Sequence, residues 1–384
     1  MPEPGLFDGV LARGAVRAEV DDSAWLQAML DVEAALARAQ GSPHAVAIAG
    51  ACQSELFDLG RLGAEGALSA NPVVPLVGAL RDQVGPDVAP DVHRGATSQD
   101  IVDSAAMLVA HRALGPLLDD LRGAAETAAA LAERHRETAM PGRTLLQQAV
   151  PTTFGLKAAG WMTALDEAAA RLETVRRERL AVQLGGAAGT LAALGDTGPE
   201  VLAALARELG LAEPVLPWHS DRTRIAELAG ALGEAAGAAG KPAGDVVLLA
   251  QNEVGEVREG GEAGRGGSSA MPHKRNPVAA VSTLACTRGT PGLVATLLAS
   301  MVGEHERAAG AWQAEWRPLT ELLRLTGSAA AWLGDCLERL EVDPERMAAN
   351  LEALQRAYPL DQAIPPAAAL VDRALRARGA SSAE

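Results

Sequence analysis

Between Thr153 and Gln183 the apolar residues Phe154, Ala158, Trp161, Leu165, Ala168, Leu172 and Val175 recur at alternating four- and three-residue steps. That spacing places them on one stripe of an α-helix for three heptads. Such a helix is roughly 45 Å long at ~1.5 Å per residue, well beyond the average globular helix. A stripe this long and narrow is covered by other long helices, so the chain is expected to build a bundle. Composition agrees: aromatic residues are 3% of 384, strand formers are sparse, and Ala, Leu and Gly dominate. Small side chains let helix axes approach closely.

Other helices follow from the same periodicity. Ser23 to Gln40 carries Trp25, Met29, Val32, Leu36 and Ala39 on one face, and a second helix is expected from His44 to Phe57. Asn71-Pro72-Val73-Val74-Pro75 is a turn before a helix from Leu76 to Val84. Thr97-Ser98-Gln99-Asp100 has a hydroxyl cap with an acid three residues on, which opens a helix. Helices are expected over Leu114–Arg136, Arg222–Gly240, Val246–Val257, Val278–Arg288, Leu293–Glu306 and Trp312–Leu340, with Pro242 interrupting and Pro318 bending. The expected architecture is all-α. An N-terminal helical domain covers 1–94, a central long-helix bundle 95–334, and an abridged C-terminal helical domain 335–384.

A formal net charge of −15 argues against nucleic-acid and anionic-membrane partners. Cys52, Cys286 and Cys336 are odd in number, far apart and without zinc-ligand spacing. A reduced, cytoplasmic protein without cofactor or metal is expected. The start of the chain lacks a basic region followed by an apolar run, and no apolar stretch approaches ~18 residues, so neither signal peptide nor membrane span is expected.

Three polar islands lie between the helices. The first is His93-Arg94-Gly95-Ala96-Thr97-Ser98-Gln99-Asp100, and the second runs from Gly142-Arg143-Thr144 to Thr152-Thr153. The third begins in a glycine-rich run at Gly260 and reaches Gly266-Gly267-Ser268-Ser269-Ala270-Met271-Pro272-His273-Lys274-Arg275-Asn276-Pro277. Glycines loosen its lead, and Pro272 and Pro277 stiffen the cationic half. This suits a loop that closes over an anionic substrate. It is not a P-loop, because the lysine does not follow GxxxxG and no strand leads in.

The islands resemble the three signature regions of the fumarase/aspartase superfamily. HRGATSQDIVDSA, QQAVPTTFGLKAAGW, QLGGAAGTLAALG, PWHSDRTRIAEL and QNEVGEV together resemble its bacterial 3-carboxy-cis,cis-muconate cycloisomerase branch, from about Trp25 to Leu340. The resemblance implies a homotetramer whose active sites each take one signature region from three subunits. It implies a small polycarboxylate substrate, no cofactor, and a carbanion stabilised as an aci-carboxylate. The implied product is 4-carboxymuconolactone, formed in protocatechuate breakdown.

By the same resemblance Ser268 exchanges the Cα proton, while Lys274 and Asn276 hold the carboxylate whose charge grows. Thr97 and Ser98 bind another carboxylate at a helix N-terminus. Thr144, Gln147 and Gln148 line the substrate, with Arg94, Ser269 and Met271. His219, Arg222 and Arg275 are further anion contacts. Two plainer readings stand beside these: Thr97 as a helix cap, and His219 as an ordinary loop histidine. His44, His111, His135 and His305 are read as surface or structural residues.

The family usually carries a histidine in the second island, just after the threonine or at the position of Gln148. Leu145 and Gln148 stand there. That counts against expulsion of a basic amine. It counts less against a cycloisomerase, whose adding group is the substrate's own weakly basic carboxylate. His93 remains the candidate proton donor. The segment at Gly41-Ser42-Pro43 and the region after Asn350 look shortened against the family. The alternatives are a lyase that releases fumarate by expelling a weakly basic group such as nitrite, and a non-catalytic homologue.

Overall fold

The computed structural model describes residues 5–261, 264–267, 270–271, 274–358 and 366–381. Short helices α1 (Asp8–Leu11) and α2 (Val16–Glu19) lead into α3 (Asp22–Ala39), α4 (Ala45–Ala51), α5 (Leu59–Gly66) and α6 (Val73–Val84). Helix α7 (Ser98–Arg134) is followed by an antiparallel hairpin, β1 (Ala139–Thr144) and β2 (Gln147–Thr153). Then come α8 (Phe154–Glu178), α9 (Gly198–Leu209) and α10 (Thr223–Leu249). Strand β3 (Val257–Glu259) precedes α11 (Val278–Ala299) and α12 (Ala311–Glu338), and β4 (Leu340–Val342) returns to pair with it antiparallel. Helices α13 (Pro344–Ala357) and α14 (Ala367–Ser381) follow.

Helices α7, α8, α10, α11 and α12 pack on one another as the central bundle. The stripe on α8 is buried along its length, from Phe154 through Trp161 and Leu165 to Val175. Each large apolar side chain so buried contributes about 1.5–3 kcal/mol. Trp161 also donates its indole N–H to Asp245 at 2.8 Å, which ties α8 to α10. Helix α7 has the length and apolar content to cross a membrane, but 78% of its apolar window is buried inside the protein. It is the core helix of the bundle.

Several expectations about elements change; the helix expected over His44–Phe57 ends at Ala51, and the one expected to reach Glu306 ends at Ala299. The second island is a β-hairpin rather than a loop between helices, so the chain is mostly helical with two small two-stranded sheets among the described residues. The expected break near Pro291 is absent, and α11 runs through it. Pro291 offers no N–H to the carbonyl of Thr287, and the Thr290 hydroxyl donates to that oxygen instead at 2.8 Å. Helix α10 likewise passes Pro242 but stops at Leu249, short of Val257. Gly255, at φ 63°, turns the chain in the left-handed region, and β3 begins two residues on.

Candidate active site

The first island is organised by Asp100. Thr97 caps α7 with a capping box: its side chain accepts from the Asp100 N–H, and Asp100 accepts the Thr97 N–H at 2.9 Å. The same buried carboxylate accepts from the N–H groups of Gly185 and Gly186 at 3.0 and 2.9 Å, and from His219 Nε2 at 2.7 Å. One side chain thus joins the start of α7, the glycine loop after α8 and the PWHS segment before α10. His219 is 4% exposed, with its carbonyl accepting from Gln99 at 2.9 Å. In this chain it holds the island together rather than facing open space. Ser98 is the first helical residue, and Arg94 is turned to Gln40 at 2.6 Å.

Arg222 is also committed within the chain. Its guanidinium is 4% exposed and donates to Asp103 at 2.8 and 3.1 Å and to Glu315 at 2.9 and 2.5 Å. It lies 4.9 Å from the centre of the Trp218 ring, and Trp312 donates to Asp103 at 3.0 Å. Burial alone would lower the guanidinium's proton affinity, but Asp103 and Glu315 carry it above its ordinary value. Burial pushes the Glu315 carboxyl up even beside Arg222. The cluster fixes the starts of α10 and α12 against α7.

The second island projects as a hairpin tip. Leu145 and Leu146 are its two turn residues, with φ 50° and 63°, and are 97% and 74% exposed. Two successive positive φ angles suit Asn-Gly, so leucines there store strain of order 1–3 kcal/mol each. Thr144, Gln147 and Gln148 are exposed beside them. The base is anchored by Arg143, which donates to Glu256 at 2.9 and 2.7 Å, while Asn350 donates to the same carboxylate at 2.8 Å.

The third island is pinched at its neck. The Gly266 carbonyl accepts from Asn276 N–H at 2.8 Å and from its side-chain amide at 3.0 Å. Arg265 anchors one side to Asp335 at 2.5 Å. Glu259, whose side chain is 3% exposed, caps α11 through Ala279 and Ala280 N–H at 3.0 and 2.7 Å. Lys274, Arg275 and Met271 are exposed. Ser268, Ser269 and His273 lie outside the described residues.

One chain therefore gathers the second island and the described neck of the third at one end of the bundle, where Glu256 leads directly into β3. The first island sits at the other end of α7. The 37 residues of that helix separate them by about 55 Å at ~1.5 Å per residue. A cleft of about 300 Å³ near α3 is not an anion site, because its cations are used internally: Arg112 with Asp31, and Arg38 with Glu208, each at 2.7 Å. Among the described residues no group of three His, Cys, Asp or Glu side chains is placed to hold a metal ion.

The helical bundle with three polar islands at its ends defines an enzyme of the fumarase/aspartase class. A family model described as "Lyase" matches residues 23–288, and the chain belongs to that family. It is 48% identical over 357 residues to a 3-carboxy-cis,cis-muconate cycloisomerase of Bradyrhizobium diazoefficiens, covering 91% of this chain and 79% of the relative. It is 47% identical over 367 residues to a nitrosuccinate lyase of Streptomyces davaonensis, covering 91% and 77%. The crystal structure of the 3-carboxy-cis,cis-muconate lactonizing enzyme of Pseudomonas putida superposes with a TM-score of 0.86 at 40% identity, over 98% of this chain and 88% of that one.

Sequence reasoning named Asp100 only as the acid of a helix cap and missed the buried carboxylates Glu33, Asp103, Glu256 and Glu315, all at most 2% exposed. Glu33 had a signal, since it sits among the inward residues of α3 beside Val32 and Leu36. Asp100 and Asp103 were visible as acids at the start of a buried helix. Glu256 lay within QNEVGEV, a segment that carries the resemblance, and Glu315 had no signal, because its partner Arg222 is far away in sequence.

Proposed function

We propose that this chain catalyses lactone closure of 3-carboxy-cis,cis-muconate to 4-carboxymuconolactone, without a cofactor. The observation that carries this reading is the 48% identity to a cycloisomerase over 91% of the chain, islands included. One substrate carboxylate adds to Cβ of a double bond conjugated to another carboxylate. The electron pair moves into that second group as an aci-carboxylate, and Cα then takes a proton. Ser268 is assigned that proton transfer, and Lys274 and Asn276 the growing negative charge. Thr97, Ser98 and the N–H groups at the start of α7 take another carboxylate. Thr144, Gln147, Gln148, Ser269, Met271 and Arg275 are assigned to the rest of the substrate, and His93 to a donor role.

A homotetramer that brings the first island of one chain to the second and third islands of others would complete the site. The ~55 Å separation of the islands supports this, as do the exposed apolar residues Leu145, Leu146, Val281 and Leu298. Three buried free cysteines fit the cytoplasm.

The nitrosuccinate lyase at 47% identity favours one second reading, elimination of nitrite to give fumarate. The two reactions differ in proton balance. Lactone closure turns a carboxylate into an ester and consumes one proton, whereas elimination of nitrite from the carbon acid liberates one. Purified protein is given each substrate in weak buffer with a pH indicator, while muconate absorbance, fumarate and nitrite are followed. Muconate loss with alkalinisation, abolished in Ser268→Ala, is the expected result. Acidification with fumarate and nitrite selects the second reading, and no turnover of either substrate at micromolar enzyme overturns both.

A further inference from the structure

Glu33 lies within the apolar stripe of α3 and is 1% exposed, where a lone carboxylate is strongly disfavoured. Its Oε1 is 2.7 Å from His93 Nδ1, and its Oε2 is buried without a hydrogen-bond partner. His93 holds a left-handed backbone, φ 62°, which non-glycine residues adopt at a cost. With Nδ1 turned to Glu33, Nε2 lies on the far side of the ring, and the side chain keeps 16% exposure. Thr97 and Ser98, at the start of α7, follow within five residues.

We propose that Glu33 is a positioning residue: by holding Nδ1–H it sets the direction of His93 and stabilises its imidazolium, so that the charged ring presents the Nε2 N–H to a substrate carboxylate at the first island. This rests on the polycarboxylate reading above. A carboxylate on Nδ1 requires the proton there, so a neutral ring carries its lone pair on Nε2 and a charged ring donates from Nε2. Three elements place charges toward the imidazole: Glu33 from α3, Asp100 from α7 and Arg81 from α6. Burial lowers its proton affinity and Arg81 assists, but the hydrogen bond and charge of Glu33, with Asp100, carry the pKa above its ordinary 6.5. The donor form thereby persists to higher pH than in a free imidazole, at the price of a carboxylate held deep in the α3 stripe.

The test has a part that needs no substrate. Protein labelled with ¹⁵N-histidine is titrated, the signal of His93 among the seven histidines being assigned from His93→Asn. The expected result is a neutral form protonated at Nδ1 and a pKa above 6.5, lowered in Glu33→Gln. In kinetics, wild-type kcat/KM is expected to fall as pH rises through the His93 pKa. Glu33→Gln should move that fall to lower pH and reduce kcat/KM on the order of tenfold, with Glu33→Asp restoring part of both. A neutral form protonated at Nε2 in the wild type overturns the proposal, even if Glu33→Gln does not fold. So does a Glu33→Gln pH profile that superposes on the wild type. Absence of muconate turnover in the wild type overturns the functional reading alone, and the tautomer still decides the role of Glu33.

Discussion

Asn276 binds the carbonyl of Gly266 twice, through its backbone N–H at 2.8 Å and its side-chain amide at 3.0 Å. A Cβ on Gly266 would meet the Asn276 carbonyl oxygen at 2.4 Å, and its φ of 67° disfavours any side chain. The neck of the third island is thus set by these two residues. Asn276→Ala removes one bond, worth about 1 kcal/mol, from a surface loop. The unfolding midpoint should barely move, while amide exchange at 264–267 quickens. Loss of the contact assigned to the growing charge and misplacement of the loop together should lower kcat on the order of 10²-fold or more, whereas Gly266→Ala should lower it through the loop alone. Hydrogen exchange with mass spectrometry, run beside the kinetics, checks both.

Arg222→Met leaves Asp103 and Glu315 buried without their cation. The expected loss of stability is about 3–5 kcal/mol, measured by urea unfolding. A residue that only touched substrate would instead raise KM and leave stability alone. Arg222→Lys should recover little, because a single ammonium cannot serve two carboxylates with a planar fork.

Replacing the hairpin tip by Asn-Gly (Leu145→Asn with Leu146→Gly) relieves two strained backbone positions. Stability of the dissociated chain should rise by about 1 kcal/mol or more. The proposed assembly should weaken, because two exposed leucines are lost. Sedimentation velocity across a dilution series, with activity at each point, reads both changes. Unaltered assembly and full activity would show that the strained leucines serve neither.

Asp120 supplies a pH signature. Burial, helped by Asp119 and opposed by Arg13, pushes its carboxyl from 3.8 to about 6. The folded chain therefore holds a proton that the unfolded chain releases. Stability falls as pH rises from about 4 to about 6, and the penalty is complete above that. Asp120→Asn should gain about 1 kcal/mol at pH 7 after allowance for solvent screening of a partly exposed group, and nothing at pH 3. Thermal unfolding at the two pH values is the measurement.

The sequence disclosed what is local. The α8 stripe and the Thr97 cap are properties of neighbours along the chain, and both formed where periodicity and capping chemistry placed them. The hairpin at 139–153 escaped notice because Pro141, Pro151 and a Leu-Leu turn argue against strands. What holds it is Arg143 on Glu256, more than a hundred residues away. The proline in α11 misled for a local reason: the hydroxyl of Thr290, directly before it, donates to the carbonyl that Pro291 leaves free. At the site, motif residues were visible as residue types. Asp100 and Asp103 were visible as acids at a helix start, but their pairing with His219 and Arg222, more than a hundred residues on, is visible only in three dimensions.

The length of α7 has a genetic consequence. With the first island at one end and the other two at the opposite end, a chain damaged at its first island still lends an intact far end to its neighbours in the proposed assembly. A His93 variant and a Ser268 variant, each inert alone, would build some undamaged sites when mixed. Harm in such an enzyme is counted by bundle end rather than by gene copy, and two broken alleles can partly heal one another.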